Sequence, residues 1–210
     1  MGFDLYGQRP SSCNIAEPDW NGDVTEAEAE EYWKLVNTIP GAYFRASVWS
    51  WRPLWNYVSA VCKDILTDID INSGCYNDAH LISNDKAKRM AIALKQDINK
   101  NNHVRFAKWQ KQRHKEMPLE TCSICEGKGT RKGWDGWESE EEWIKIHGSL
   151  DVGGDEQCSI NFKGANNHKG CNACKGKGKR ESFITNYEFY PDFLEEFESF
   201  CRLSGGFVIK

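Results

Sequence analysis

Two segments of this chain, Cys122-Ser-Ile-Cys125-Glu-Gly127-Lys-Gly129 and Cys171-Asn-Ala-Cys174-Lys-Gly176-Lys-Gly178, share one eight-residue pattern, C-x-x-C-x-G-x-G. Two thiols separated by two residues grip an ion from one side. Two such pairs complete a tetrahedron of sulfur, the arrangement that structural zinc prefers. The glycines suit the same task, because backbone turning tightly around an ion needs positive φ angles, which glycine adopts without steric cost. The pattern therefore predicts one zinc ion held by Cys122, Cys125, Cys171 and Cys174.

The competing readings are free core thiols or disulfides. Nine cysteines is an odd number, and they are scattered rather than set in a dense framework. The first thirty residues carry polar and charged groups throughout, with no apolar core of a signal peptide. This predicts a reducing, cytoplasmic setting, where paired CxxC motifs favour metal over disulfide. A redox CxxC is expected singly, not duplicated with the same glycines. Cys158 and His168 lie between the two pairs as alternative ligands, and His147 reads as an ordinary surface residue.

With 210 residues the chain can bury one good core, with room for an appended subdomain. A hydrophobic content of 40%, with 12% aromatic residues, excludes wholesale disorder. No apolar run reaches the length of a membrane span, so no membrane partner is expected. The net charge of −4 decides little, but its distribution is informative. Lys100, Arg105, Lys108, Lys111, Arg113 and Lys115 occupy a stretch with no acidic residue, whereas 138–142 and 188–198 are strongly acidic. The molecule is expected to be electrically two-sided.

Along the chain, Gly2–Gly7 alternates apolar and polar residues and predicts a strand. Residues 8–24 read as a loop. Thr25-x-x-Glu28 is a capping box opening a helix towards Asn37, and Pro40-Gly41 breaks it before a second strand at Ala42–Ala46. Pro53 suits the first turn of a helix whose apolar face carries Leu54, Trp55, Val58, Val61, Cys62, Ile65 and Leu66. Ser83 is the expected N-cap of a helix with Ala87, Met90, Ala91, Leu94 and Ile98 inside. The basic stretch 100–117 predicts another, with Val104, Ala107 and Trp109 inward, ended by Pro118. Between the cysteine pairs lie 45 residues (126–170), including a capping box, Ser139-x-x-Glu142, that opens a short helix with Trp143, Ile144 and Ile146. Pro191 starts a final helix with Phe193, Leu194, Phe197, Phe200 and Cys201 as its stripe. Gly205-Gly206 stops it, and 207–209 reads as a strand.

These elements predict an α+β fold, mostly helical. Strands near 3–6, 42–46 and 207–209 form a small antiparallel sheet near both termini, with helices on one face. A zinc-binding β-turn module is inserted. The expected organisation is an N-terminal α+β core over 1–118, the zinc module with its long insertion over 119–182, and a helix and strand over 183–210 that pack back on the core.

The C-x-x-C-x-G-x-G repeat resembles the cysteine-rich region of DnaJ-type co-chaperones, which has four repeats and two zinc ions. This chain has two repeats, and so room for one ion, and it lacks the His-Pro-Asp signature of a J-domain. The resemblance implies a metal-binding device and carries no co-chaperone role. A second resemblance rests on Met-Gly-Phe-Asp-Leu-Tyr-Gly, Tyr43-Phe-Arg, Val48-Trp-Ser-Trp-Arg-Pro-Leu-Trp55, Tyr76-Asn-Asp, the paired cysteine motifs and Ser204-Gly-Gly-Phe-Val-Ile. Together these are similar to a group of small uncharacterised proteins of bacteriophages and bacteria. This implies an intracellular setting, the host cytoplasm if phage-encoded, and brings no established activity.

Three function classes follow. In the first, a non-enzymatic zinc-stabilised recognition protein binds a host macromolecule or a signalling nucleotide, with counter-defence as a setting. Arg45, Trp49, Arg52, Asn77, Asp78 and His80 are its candidate ligand residues, since arginine beside indole rings can clamp a base by stacking and take a phosphate. Trp51 and Trp55 instead fit a core-facing stripe. In the second, a nucleic-acid binder uses Arg105, Lys108, Lys111 and Arg113. The zinc turns, with Lys128, Arg131, Lys132, Lys175, Lys177, Lys179 and Arg180, extend that surface. The bland reading of these cations is a solvated helix face. In the third, an enzyme acts on a small nucleotide or amide through Cys75, Asp78 and His80. Four thiolates leave no vacant position on a zinc ion, which disfavours metal catalysis. The oligomeric state is left open.

Overall fold

Alternating burial along Gly2–Gly7 makes this segment strand β1, with Phe3 and Leu5 facing inward, in a computed structural model that describes residues 2–12, 15–129, 171 and 173–210. The remaining elements are α1 (Glu26–Thr38), β2 (Tyr43–Ser47), α2 (Val48–Val61), α3 (Asp68–Ser73), β3 (His80–Ile82), α4 (Asn84–Asn99), α5 (Asn102–Glu116), β4 (Glu120–Thr121), β5 (Lys179–Arg180), α6 (Pro191–Leu203) and β6 (Phe207–Ile209). The fold is α+β: six helices among the described residues with a small antiparallel sheet built near the termini. Packing divides the chain into one unit of Met1–Lys115 with Asn186–Lys210 and a second of Glu116–Thr185. No helix among the described residues is long and apolar enough to cross a membrane.

The sheet runs β2-β1-β6-β3, antiparallel throughout. Leu5 sits opposite both Phe44 and Ile209, and Ile82 opposite Phe207, so the buried side chains of all four strands share a face. The chain ends are tied directly. Asp4 and Lys210 exchange both backbone hydrogen bonds at 2.8 Å. The fourth strand, β3, corrects the expected three-stranded sheet. At three residues it is too short to show an alternating pattern, and its pairing with β6 is a tertiary event.

Helix starts follow their caps. Thr25 and Glu28 form the reciprocal capping box, and the Ser83 side chain accepts from the Lys86 N–H. Helix α2 begins earlier than its proline suggests. The Ser47 side chain accepts from the Ser50 N–H, so the helix opens at Val48 and Pro53 lies inside it, buried. It also ends earlier than expected, at Val61, while Cys62 and Leu66 reach the core from the following turn. Asn101, at φ 55°, separates α4 from α5. On α5, Val104 and Ala107 are half-buried, but Trp109 is 59% exposed, against expectation. The inward place is taken by His103, whose Nε2 lies 3.2 Å from Glu195 Oε1.

The core of this unit is aromatic. Trp51 and Trp55 stack with ring centroids 5.2 Å apart, and their indole N–H groups donate to the carbonyls of Gly74 and Ile71 at 2.7 and 2.9 Å. Both buried polar edges are thereby satisfied. Phe197 of α6 is fully buried and lies within about 6 Å of Phe44, Trp51 and Phe207, so one side chain joins the last helix to two strands and α2. Replacing a buried phenylalanine by alanine removes its transfer free energy and leaves a cavity. Phe197→Ala is expected to lower the free energy of unfolding by about 3–5 kcal/mol in urea titration. A loss under about 1 kcal/mol contradicts this description of the core.

Candidate metal centre

In the second unit, antiparallel β4 and β5 lead into and out of the two cysteine turns. The turns are copies of each other. The Gly127 N–H donates to the Cys122 carbonyl at 3.2 Å, and the Gly176 N–H to the Cys171 carbonyl at 3.0 Å. The Lys128 and Lys177 N–H groups reach the Cys125 and Cys174 carbonyls at 2.9 and 3.0 Å. The Gly129 and Gly178 N–H groups point at sulfur, 3.3 Å from Cys125 Sγ and 3.2 Å from Cys174 Sγ. The copies then bond to each other, Cys122 N–H to Gly178 O at 2.8 Å and Cys171 N–H to Gly129 O at 2.5 Å.

This embrace explains the glycines more fully than turn chemistry alone. A Cβ on Gly178 would lie 2.2 Å from the Gly127 carbonyl oxygen, and one on Gly129 would lie 2.5 Å from that of Gly176. The second glycine of each repeat is needed because the other repeat's backbone occupies the space. The residues before the first glycines, Glu126 and Lys175, also adopt positive φ, at 53° and 52°. The tight turn thus extends to a non-glycine position that the pattern leaves free.

All four thiols are buried, and their sulfur atoms lie within 4.8 Å of one another. Cys122 and Cys171 sulfurs are 3.9 Å apart, and those of Cys125 and Cys174 are 3.7 Å apart. These gaps exceed a disulfide bond of about 2.05 Å. They match the edge of about 3.8 Å expected of a tetrahedron with metal–sulfur bonds near 2.3 Å. The four residues therefore fit a metal ion.

The thiols are not electrostatically alike. Burial pushes Cys122, Cys125 and Cys171 up. At Cys122 the N–H groups of Cys125 and Ile124 and the Cys125 thiol outweigh it and bring the group below its ordinary value. At Cys171 the N–H groups of Ala173 and Cys174, helped by neighbouring thiols, bring it down to about 7. Burial wins at Cys125, which rises to about 11. The first cysteine of each pair thus ionises readily, which favours metal binding, because only thiolates coordinate. Cys158, His168 and His147, with the capping box Ser139-x-x-Glu142, lie outside the described residues.

The other candidate residues are spread across the first unit. Arg45 Nε is 3.6 Å from Asp4 Oδ1, and Asn77 Nδ2 donates to the Gly2 carbonyl at 2.8 Å. Trp49 and Arg52 share Tyr187, at 5.0 Å between ring centroids and 5.9 Å from guanidinium to ring. Arg52 also borders a groove of about 280 Å³ with Asn56, Cys75 and Tyr76. Asp78 is exposed. The Cys75 thiol donates to the Ile71 carbonyl at 3.6 Å, and His80 Nε2 lies 3.0 Å from Asp70 Oδ1, so the thiol and the imidazole are each engaged with other groups. Arg105, Lys108, Lys111 and Arg113 are exposed on α5.

Asp70 is a residue that sequence reasoning missed. It is 2% exposed, closes a capping box with Thr67 at the start of α3, and takes contacts from His80 of β3 and Lys86 of α4. Thr67-x-x-Asp70 repeats the signal seen at Thr25-x-x-Glu28 and could have found it. Burial pushes this carboxyl up. Hydrogen bonds from Lys86, from the Thr67 hydroxyl and backbone N–H, and from His80 outweigh it and hold Asp70 well below the usual carboxylate range.

No protein-family model matches this chain, and no curated protein or solved structure is significantly similar to it. The site is therefore read from its own chemistry.

Two outcomes follow. Gly178→Ala is expected to weaken divalent-ion binding at least tenfold in competition with a chromophoric chelator. The left-handed backbone alone costs about 1–2 kcal/mol, before any displacement of the Gly127 carbonyl. Lys128→Ala serves as the unaffected control, and equal affinities for all three proteins contradict the embrace. Because the Asp70 pKa is depressed on folding, its stabilisation is present above the unfolded value of about 3.9 and is lost as pH falls below it. Asp70→Asn is expected to cost about 3 kcal/mol at pH 7, where it leaves Lys86 unpaired, and to flatten the decline of stability below pH 4. An unchanged acid limb in urea titrations at pH 3–5 contradicts it.

Proposed function

We propose that this chain is a non-enzymatic recognition protein in which one zinc ion, bound by Cys122, Cys125, Cys171 and Cys174, fixes two turns as rigid contact loops. The observation that carries this reading is the set of four buried sulfurs within 4.8 Å of one another, with two pairs at 3.9 and 3.7 Å, close to the edge of a zinc–thiolate tetrahedron. Zinc is the ion of choice for four thiolates in a structural site, and four protein ligands leave no position for a reacting water. The ion's contribution is to hold the turns against each other.

Supported in this way, the described turns of the second unit display side chains around their buried thiols. Its described buried cluster consists of the four thiols. Lys128, Lys175 and Lys177 stand exposed at the turn tips, and Ile124 and Leu119 are 49% and 56% exposed. Apolar side chains held out beside lysines suit contact with another molecule. The resemblance to phage and bacterial proteins sets that contact inside a bacterial cell. The partner is a host macromolecule or a signalling nucleotide, with interference in host defence as the setting.

Native mass spectrometry of freshly purified protein is expected to show one zinc per chain, lost in a Cys125→Ser/Cys174→Ser double variant. A pull-down from bacterial lysate, with a thermal-shift screen of nucleotides, tests recognition itself. Wild-type protein is expected to retain a partner, or to be stabilised by a nucleotide, and the zinc-free variant is not. Zinc-loaded protein that gives neither result contradicts the proposal.

A further inference from the structure

Helix α5 carries five cations from Arg105 to Lys115 and no carboxylate in that span, and a tryptophan stands among them. At 3.6 residues per turn, Arg105, Trp109 and Arg113 form one stripe, each about 6 Å further along the axis. All three are exposed; Lys108, Lys111 and Lys115 are exposed too, but Lys111, two residues from Trp109, stands on the far side of the helix. Trp109 leans on Phe106, with ring centroids 5.5 Å apart, and keeps 59% of its surface in water. Among the described residues no carboxylate pairs with Lys108, Lys111, Arg113 or Lys115.

We propose that this face of α5 binds single-stranded nucleic acid, with Trp109 stacking on a base and the flanking cations taking phosphates. Charge complementarity selects a polyanion. The exposed indole selects a single strand, because a duplex keeps its base faces stacked internally, whereas a single strand offers them. The Arg105 guanidinium donates to the Lys100 carbonyl and the Asn102 side chain, which anchors it at the N-terminal end of the stripe. The chain's net charge of −4 opposes attraction at long range, so binding is local to this face and salt-sensitive. The proposal goes beyond the recognition reading above, because α5 belongs to the first unit and not to the cysteine turns. It does not depend on the metal.

The test is fluorescence anisotropy of full-length protein with a labelled oligothymidylate of about 15 nucleotides and a duplex of equal length, at 50 and 200 mM salt. Single-strand binding is expected to exceed duplex binding several-fold. Trp109→Ala is expected to weaken it roughly tenfold and Trp109→Phe less than threefold, since any aromatic face stacks. Arg105→Glu/Arg113→Glu is expected to reduce the slope of log affinity against log salt by about 1.4. Melting curves of the three variants, all on an exposed face, check that folding is unchanged. No binding at 50 mM salt, preference for the duplex, or full affinity in Trp109→Ala overturns the proposal. Zinc is measured on the same samples. Zinc-loaded protein that binds no oligonucleotide overturns this proposal alone, and metal-free protein that still binds supports it while removing the zinc reading.

Discussion

Four sulfur atoms that lie within 4.8 Å of one another, all shielded from water, make an unstable set unless a positive charge sits among them. As thiolates they repel, and as thiols they forfeit the N–H groups of Gly129 and Gly178 aimed at Cys125 and Cys174 as partners for a charged sulfur. The backbone is committed to the same arrangement. Glu126 and Lys175 hold left-handed conformations that cost free energy in isolation. Gly129 and Gly178 approach the opposite repeat more closely than any side chain allows. None of these choices is favourable for one turn alone. Their cost is offset only when both turns close on a common centre.

The two units are consequently held together by different physics. In one, strands from both chain ends pair, and a cluster of indole and phenyl rings around Phe197 supplies the apolar burial on which most small domains depend. Among its buried polar groups is Asp70, where α3, β3 and α4 converge on one carboxylate. Such a buried charge tolerates its surroundings because both of its oxygens have hydrogen-bond partners. In the other unit the buried cluster among the described residues is four thiols, placed so that a metal ion could join them.

How much of this was legible in the sequence depended on whether a feature was local. The cysteine spacing, the Thr25 and Ser83 caps and the stripe on α6 are local patterns, and each appears where it was read. The start of α2 was obscured by Pro53, because a proline marks a first turn only when no better cap precedes it, and Ser47 does. Strand β3 and the partners of His80 arise from contacts between distant segments, which periodicity does not record. Trp109 was placed inward from hydrophobicity alone, whereas the inner position went to His103. The close approach of Gly129 and Gly178 to the opposite repeat was also invisible, since the pattern shows which residues repeat but not that the repeats touch.

The central claim is that one ion, coordinated only by sulfur, closes the paired turns. X-ray absorption at the zinc edge of the purified protein tests it most directly. The account predicts four sulfur scatterers near 2.3 Å and no lighter atom in the first coordination shell. A shell containing nitrogen or oxygen, or an absorption edge too weak for one zinc per chain, contradicts it.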